Sequence, residues 1–132
     1  MNRPNILIVD DNIVDRKLLC KLFKRKGCRV QFAISGIEAL EICKTQAFSL
    51  IVMDIEMSGM DGKRTSREIR QLKNQNKNQP IIGITSHEDD SERLECLDAG
   101  MNDYYQKPIK LSHINYIMED WLLREQTTYA VS

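Results

Sequence analysis

The stretch ILIVDDN, residues 6–12, decides the fold class of this chain. Its four apolar residues are too few for a helix and rich in β-branched side chains, so they predict a short buried strand over residues 5–10. Two adjacent carboxylates, Asp10 and Asp11, follow the apolar run directly. Neighbouring anions repel each other, and burial of either one is costly, so a partner must stabilise them.

The composition predicts one globular domain without metal-binding cysteines. The chain has 132 residues, and its 19 Lys and Arg balance its 19 Asp and Glu, which argues against direct contact with nucleic acid. No apolar stretch is long enough to span a membrane, and MNRPN does not begin a signal peptide, so we expect a cytoplasmic protein. The four cysteines fit no zinc spacing and are expected to be reduced core thiols.

Short apolar segments alternate with amphipathic ones along the whole chain. Strands are predicted over residues 5–10, 29–34, 49–54, 80–86 and 102–106, and helices over 12–26, 37–46, 63–73, 89–99 and 111–124. This alternation predicts an α/β fold, a single doubly wound domain with a parallel sheet and helices on both faces. The segment between residues 73 and 80 is expected to be exposed.

Two helices carry apolar stripes that are expected to face the sheet. The stripe of the first helix consists of Val14, Leu18, Leu19, Leu22 and Phe23. The stripe of the last helix consists of Leu111, Ile114, Ile117 and Trp121.

Polar side chains stand where four of the predicted strands end. These are Asp10 and Asp11 after the first strand, Asp54 after the third, Thr85 after the fourth and Lys107 after the fifth. Sites in open α/β sheets form beyond the carboxyl ends of the strands, so these groups are expected to converge if the first, third, fourth and fifth strands are neighbours. Three carboxylates at one point favour Mg²⁺, and phosphate oxygens complete its coordination. Lys107 and Thr85 can then bind phosphoryl oxygens, with Asp54 as nucleophile.

Four stretches together resemble the receiver domain of two-component response regulators: LIVDDN, LIVMDIEMSGMDG, IIGITS and DAGMNDYYQKPI. The similarity runs from Ile6 to about Leu123, and GMDG and GMNDYYQKPI are most similar to receivers of hybrid histidine kinases and phosphorelays. The resemblance implies a flavodoxin-like (βα)5 fold with strand order 2-1-3-4-5. We therefore expect a receiver domain over residues 1–124 and a polar C-terminal tail over 125–132.

The resemblance also assigns the acidic residues their roles. Asp54 matches the phosphoacceptor, Asp11 the acid that binds Mg²⁺ directly, and Asp10 the acid that often acts through water. Glu56 matches the position whose backbone carbonyl completes the metal site. Mn²⁺ is expected to substitute for Mg²⁺.

Three further residues match the parts of the family that sense the phosphoryl group. Lys107 matches the family lysine, with a cis bond to Pro108. Thr85 and Tyr104 match the switch pair, which shifts a surface formed by the fourth helix, fifth strand and fifth helix. Because Tyr104 and Tyr105 alternate across a strand, one is expected to pack and the other to be exposed.

The implied partners are proteins. A histidine kinase or histidine phosphotransfer domain would donate the phosphoryl group, and a downstream protein would bind the switched surface. We expect a monomer or phosphorylation-dependent dimer, no membrane contact, and no catalysis beyond its own phosphorylation and autodephosphorylation. Basic residues of the first helix, Lys17 and Lys21 among them, are interpreted as steering an acidic phosphodonor.

The sequence departs from the family pattern at the site. Ser58 stands where a proline commonly follows the methionine, a change expected to matter little. Ser86 and His87 follow the switch hydroxyl in place of a small alanine, and Glu56 brings an acidic side chain over the site. These changes lie near the path of the attacking water and leave the phosphoryl lifetime open.

Two other functions share this architecture. An aspartyl-phosphate phosphatase would place its nucleophile on an early strand, whereas here the acid pair comes first. A flavin-binding protein would need a hydroxyl-rich phosphate loop, but DDNIVD after the first strand is acidic. Whether the chain acts alone or was cut from a longer protein stays open, and the starting Met1 weakly favours the former.

Overall fold

The computed structural model describes residues 3–87 and 89–123, and within them strands and helices alternate as the sequence predicts. The strands are β1 Asn5–Val9, β2 Arg29–Ala33, β3 Leu50–Asp54, β4 Ile81–Thr85 and β5 Asp103–Gln106. The helices are α1 Ile13–Arg25, α2 Gly36–Thr45, α3 Gly62–Arg70, α4 Asp90–Asp98 and α5 Leu111–Met118, with a 3-10 turn at Gln75–Asn78 and a π-helical turn at Glu119–Leu123. The sheet is parallel in the order β2-β1-β3-β4-β5, which confirms the predicted fold class.

Side-chain caps fix where four of the helices begin. Asn12, Ser35, Asp61 and Asp89 each accept a hydrogen bond from the backbone N–H three residues on. The predicted helix 63–73 ends earlier, at Arg70, because the amides of residues 71 and 72 bond to carbonyls three residues back and tighten the last turn.

The two faces of the sheet carry separate apolar clusters because side chains alternate along each strand. One cluster joins the sheet to α2, α3 and α4 through Ala39, Cys43, Ile69 and Cys96. The other joins it to α1 and α5 through Leu19, Leu22, Phe23, Ile114 and Ile117. Strands β3 and β4 are buried along their whole length, as expected for central strands covered on both faces.

The four cysteines are free thiols, as predicted. Cys28, Cys43 and Cys96 are buried, and Cys20 is half-buried. Burial raises the pKa of Cys43 and of Cys96 to about 11, so both stay protonated and unreactive. In the described part of the chain, no helix is long and apolar enough to cross a membrane.

Two packing predictions are wrong in part. In the stripe of α1, Val14 and Leu18 are 71% and 40% exposed, because the face that the core covers is the one that carries Leu19, Leu22 and Phe23. The segment between residues 73 and 80 is not wholly exposed. Its Asn76 is buried, donates to the carbonyls of Cys43 and Gln46, and accepts from the amide of Phe48. A polar sequence concealed a buried asparagine whose hydrogen bonds are satisfied by backbone.

In the last stripe, Ile114 and Ile117 are buried, while Leu111 and Trp121 are partly buried against the same cluster. The predicted polar tail over residues 125–132 lies outside the described residues. The predicted domain boundary at residue 124 therefore stays a prediction.

Candidate functional site

Parallel pairing brings the predicted site residues to one edge of the sheet. Asp10 directly follows β1, and Asp54 is the last residue of β3. Asp54 pairs with Ile84 of β4, one residue before Thr85. Lys107 directly follows β5. Its Nζ lies 3.4 Å from Asp10 Oδ2 and 3.5 Å from Asp54 Oδ1, so the residues from β1, β3 and β5 meet as the sequence predicts.

The three acids form a compact group whose geometry suits a cation. Carboxylate oxygens of Asp10, Asp11 and Asp54 lie within 4.8 Å of one another. Each carboxylate also accepts one backbone hydrogen bond: Asp10 from the amide of Asn12 at 2.9 Å, Asp54 from that of Glu56 at 3.2 Å, and Asp11 from that of Ser58 at 3.2 Å. These bonds fix the orientation of the group before any ligand binds.

The electrostatics of this group call for a positive charge. Burial, followed by the nearby charge of Asp10, raises the pKa of Asp54 to about 7, although the ammonium of Lys107 works in the opposite direction. Asp10 Oδ2 is fully buried and receives no hydrogen bond from any part of the chain that the structure describes. This oxygen is paired with the Lys107 ammonium at 3.4 Å, and together with the other two carboxylates it offers the oxygen ligands that a hard divalent cation takes. The residues present therefore fit Mg²⁺.

Lys107 is held by an acid that the sequence analysis did not single out. Asp15 Oδ2 accepts a hydrogen bond from Lys107 Nζ at 3.0 Å, a shorter distance than to Asp10 or Asp54. Burial disfavours the charged amine, but the Asp15 hydrogen bond and the surrounding acids outweigh it and raise the pKa of Lys107. Asp15 resembles an ordinary acid in a first helical turn, which is why its pattern gave no signal. The Lys107–Pro108 bond is cis, as the resemblance implies.

Thr85 is engaged by the side chain of Glu56. The fully buried Thr85 donates its hydroxyl to Glu56 Oε1 at 2.7 Å, and the amide of Ser86 donates to the same oxygen at 2.7 Å. His87 Nε2 lies 3.4 Å from Glu56 Oε2. Partial burial works against the Glu56 anion, but the hydrogen bonds from Thr85 and Ser86 outweigh it and lower its pKa. The sequence predicted an acidic Glu56 side chain over the site but not its hydrogen bonds with Thr85 and Ser86. The metal-binding role of the Glu56 backbone carbonyl stays a prediction.

Ser58, a departure from the family pattern, makes a contact that a proline there would lack. Its backbone N–H is the donor to Asp11 Oδ2, and proline has no N–H. The position therefore orients one of the three acids, a role that the sequence analysis did not give it.

Tyr104 and Tyr105 are both half-buried, so the expectation that one packs and the other is exposed is wrong. Strand β5 lies at the edge of the sheet, where neither face is fully covered. Tyr104 pairs in register with Gly83 and lines a cavity of about 440 Å³ beside Lys107. Tyr105 contacts the ring of His113 at 5.4 Å between centroids. A change of rotamer at Tyr104 therefore has this cavity to move through.

The basic side chains of α1 form a groove against β2. The groove has a volume of about 620 Å³ and is lined by Arg16, Lys17, Cys20, Lys21, Lys24, Arg25 and Phe32. Arg16 lies 4.8 Å from the centre of the Phe32 ring and donates to the carbonyl oxygen of Asp10 at 3.1 Å. The groove therefore adjoins the acidic group.

Comparison with known proteins finds relatives along most of the chain. The family model of the response regulator receiver domain matches residues 6–119. Hybrid signal transduction histidine kinase B of Dictyostelium discoideum is 39% identical over 119 residues, which cover 83% of this chain and 6% of that protein. Sensor histidine kinase GacS of Pseudomonas protegens is 33% identical over 120 residues, which cover 89% of this chain and 13% of that protein. The chain thus spans at most 13% of the length of these two relatives.

Solved structures agree with the sequence relatives. The receiver domain of a sensor histidine kinase from Pseudomonas aeruginosa superposes with a TM-score of 0.83 at 34% identity, covering 91% of this chain and 98% of that one. That structure holds a magnesium ion in its active-site cleft. Chemotaxis protein CheY4 of Vibrio cholerae gives a TM-score of 0.86 at 25% identity, covering 92% of this chain and 100% of that one. None of these relatives and solved structures is described as a phosphatase or a flavin-binding protein.

Proposed function

The chain belongs to the response regulator receiver domain family, and we propose that its Asp54 accepts a phosphoryl group from a phosphohistidine in a Mg²⁺-dependent reaction. The observation that carries this proposal is the buried Asp54 carboxylate, 3.5 Å from the ammonium of Lys107 and grouped with the carboxylates of Asp10 and Asp11. A buried carboxylate with two acids and one lysine is suited to bind a cation and then a phosphoryl group.

The transfer is a displacement at phosphorus. One oxygen of Asp54 attacks the phosphorus atom, the new O–P bond forms as the P–N bond to histidine breaks, and the histidine nitrogen keeps the electron pair. Asp10, Asp11, Asp54 and the carbonyl of Glu56 would hold Mg²⁺ or, in its place, Mn²⁺. When bound, the cation neutralises the carboxylates and binds phosphoryl oxygens.

Lys107 and Thr85 supply the remaining contacts. The ammonium of Lys107 stabilises the charge on one phosphoryl oxygen, and the hydroxyl of Thr85 donates to another. Because that hydroxyl now donates to Glu56, phosphorylation requires Thr85 to exchange its acceptor. This exchange, followed by rotation of Tyr104, would shift the surface formed by α4, β5 and α5. Water attack on phosphorus later releases inorganic phosphate and restores Asp54, which is the only catalysis we assign beyond phosphorylation itself.

We further propose a histidine kinase or histidine phosphotransfer domain as donor and a protein that recognises α4, β5 and α5 as the downstream partner. The chain would act in the cytoplasm, as a monomer or as a dimer formed on phosphorylation, without direct contact to nucleic acid. The basic groove of α1 borders the acidic group and fits the steering of an acidic donor. Charge reversal at Lys17 and Lys21 is therefore expected to slow phosphotransfer at low salt. An unchanged rate would remove the steering role.

Intact-mass spectrometry after incubation with acetyl phosphate tests the proposed chemistry. We expect one added phosphate in the wild type, none without Mg²⁺, and none in Asp54→Ala. Asp98→Asn, an exposed acid at the end of α4, serves as a control for charge removal and should be phosphorylated normally. Addition to Asp54→Ala, or addition that is indifferent to Mg²⁺, would contradict the proposal.

A further inference from the structure

Lys107 makes its shortest ionic contact with Asp15, outside the group of acids assigned to the metal. The distance from Lys107 Nζ to Asp15 Oδ2 is 3.0 Å, against 3.4 Å to Asp10 Oδ2 and 3.5 Å to Asp54 Oδ1. The ammonium is mostly covered, with 16% of the Lys107 side chain exposed. Few water molecules can therefore replace a lost carboxylate partner.

The fold fixes the position of Asp15. Its backbone N–H donates to the side chain of Asn12, which caps the start of α1. Between α1 and the segment after β5 lies a small cavity of about 30 Å³, lined by Asp15, Leu18, Leu19, Ile84, Lys107, Pro108 and Ile109. Asp15 thus holds the ammonium from the side of α1 while Asp54 faces it from β3.

We propose that Asp15 is a positioning residue that shares the Lys107 ammonium with the phosphoryl group and thereby weakens phosphoryl binding. This inference rests on the proposed function of Asp54. A phosphoryl group on Asp54 adds negative charge near Lys107, and the Asp15 carboxylate competes with it for the same ammonium. Removal of the Asp15 charge leaves Lys107 free to bind the phosphoryl oxygens.

The competition predicts different effects on the binding of two ligands. Asp15→Asn keeps an oxygen that can accept from Lys107 but removes the negative charge. Beryllofluoride, a phosphoryl mimic, should therefore bind roughly 2- to 5-fold more tightly in saturating Mg²⁺, the change expected of one partly exposed ion pair. Mg²⁺ alone should bind equally well or more weakly, because the site has lost one nearby negative charge. A variant that no longer folds properly would instead bind both ligands more weakly.

Titration of the protein with Mg²⁺ and with beryllofluoride, monitored by NMR chemical shifts, tests the proposal. The wild type, Asp15→Asn, Lys107→Met and the double variant form a mutant cycle, and the gain from Asp15→Asn should vanish without Lys107. Asp98→Asn controls for a general change in net charge and should not tighten beryllofluoride binding. Asp15→Ser provides the same loss of charge if the amide variant does not fold.

Two outcomes would overturn the positioning role: no tighter binding of beryllofluoride in whichever of Asp15→Asn and Asp15→Ser folds, or the same tightening in the Lys107→Met background. In each case the wild type still binds beryllofluoride through Asp54, and the proposed function stands. A wild type that binds no beryllofluoride and gains no phosphate would contradict the proposed function, and the role of Asp15 with it.

Discussion

Helices α1 and α4 border the same site but are held to the sheet in different ways. α1 buries Leu19, Leu22 and Phe23 in the core. α4 buries Cys96, while its Leu94 and Leu97 are 67% and 47% exposed. The comparison shows that the acid side of the site stands beside a firmly packed helix, whereas the hydroxyl side leads into a weakly packed one. Weak packing suits the change of the α4, β5 and α5 surface that we propose to accompany phosphorylation.

Polar contacts take the place of apolar ones at α4. Lys63 of α3 pairs with Glu92 at 3.1 Å and also with Glu95, so one side chain connects two helices. Partial burial opposes the charged amine, but these two carboxylates outweigh it and raise the pKa of Lys63. Ion pairs near the surface contribute little free energy. The contacts can therefore orient α4 without fixing it.

The two helices should differ most in how much stability is lost when a buried side chain is replaced by alanine. Phe23→Ala removes a fully buried ring from α1 and should lower the free energy of unfolding by about 3 to 5 kcal/mol. Cys96→Ala, which removes the buried thiol of α4, should cost only about 1 kcal/mol because far less apolar surface is lost. Urea denaturation measures both values. Equal losses would contradict the unequal anchoring of the two helices.

Ionisation of the buried Asp54, on the side of the site beside α1, should lower the free energy of unfolding. The folded pKa of Asp54, about 7, lies above its ordinary value of 3.8, so the folded state binds more protons than the unfolded state between these values. Without Mg²⁺, stability should therefore fall as the pH rises, on the order of 2 kcal/mol between about pH 5 and pH 7. Thermal unfolding across this range, with and without Mg²⁺, measures the loss, which the cation should reduce.

Asp54→Asn is the matched variant for this pH dependence. It cannot ionise, so most of the fall in stability should disappear without any change at low pH, where the Asp54 carboxyl is protonated. If the stability of this variant depended on pH as steeply as that of the wild type, another ionisable group would be responsible. The site would then not be the origin of the loss of stability.

A smaller effect is expected from the ion pairs at α4. Lys63→Ala should lower the free energy of unfolding by about 0.5 to 1 kcal/mol and should raise hydrogen exchange in α4 while leaving α1 unchanged. Lys44→Ala is the control, because Lys44 pairs with Glu41 within α2, where both side chains are exposed. If exchange in α4 were unaffected, Lys63 would not contribute to holding that helix.

The smallest expected effect on stability belongs to the exposed face of α4. Leu94→Ser should change the free energy of unfolding by less than about 0.5 kcal/mol, because two thirds of the Leu94 side chain is already in water. Chemical denaturation of this variant beside Leu22→Ser in α1 provides the contrast. A large loss in Leu94→Ser would mean that α4 packs as firmly as α1.

The sequence predicted the fold and the meeting of the acids because both depend on strand ends. Apolar runs predict the strands, parallel pairing aligns their carboxyl ends, and the strand order that the resemblance implied then brings Asp10, Asp54 and Lys107 together. The cis bond before Pro108 was implied by the resemblance alone.

What the sequence missed depends on side-chain geometry in three dimensions. Asp15 and Lys107 are far apart in the chain, and no spacing rule connects them. The hydrogen bonds of Glu56 to Thr85 and Ser86 depend on how a loop folds over the site. The exposure of Val14 depends on which apolar residues of α1 the core covers, since Leu19, Leu22 and Phe23 are the buried ones. Apolar periodicity marks the apolar positions of a helix but not the width of the face that its neighbours cover.

The central claim is that a ligand on Asp54 changes the weakly packed α4 and leaves the firmly packed α1 unchanged. Hydrogen exchange with and without Mg²⁺ and beryllofluoride tests this claim most directly. We expect exchange to change in residues 85–98, across the end of β4 and α4, and to stay the same in the buried half of α1 around Phe23. Asp54→Ala under the same conditions should show no change in either region. Equal changes in α1 and α4, or a change confined to α1, would contradict the account.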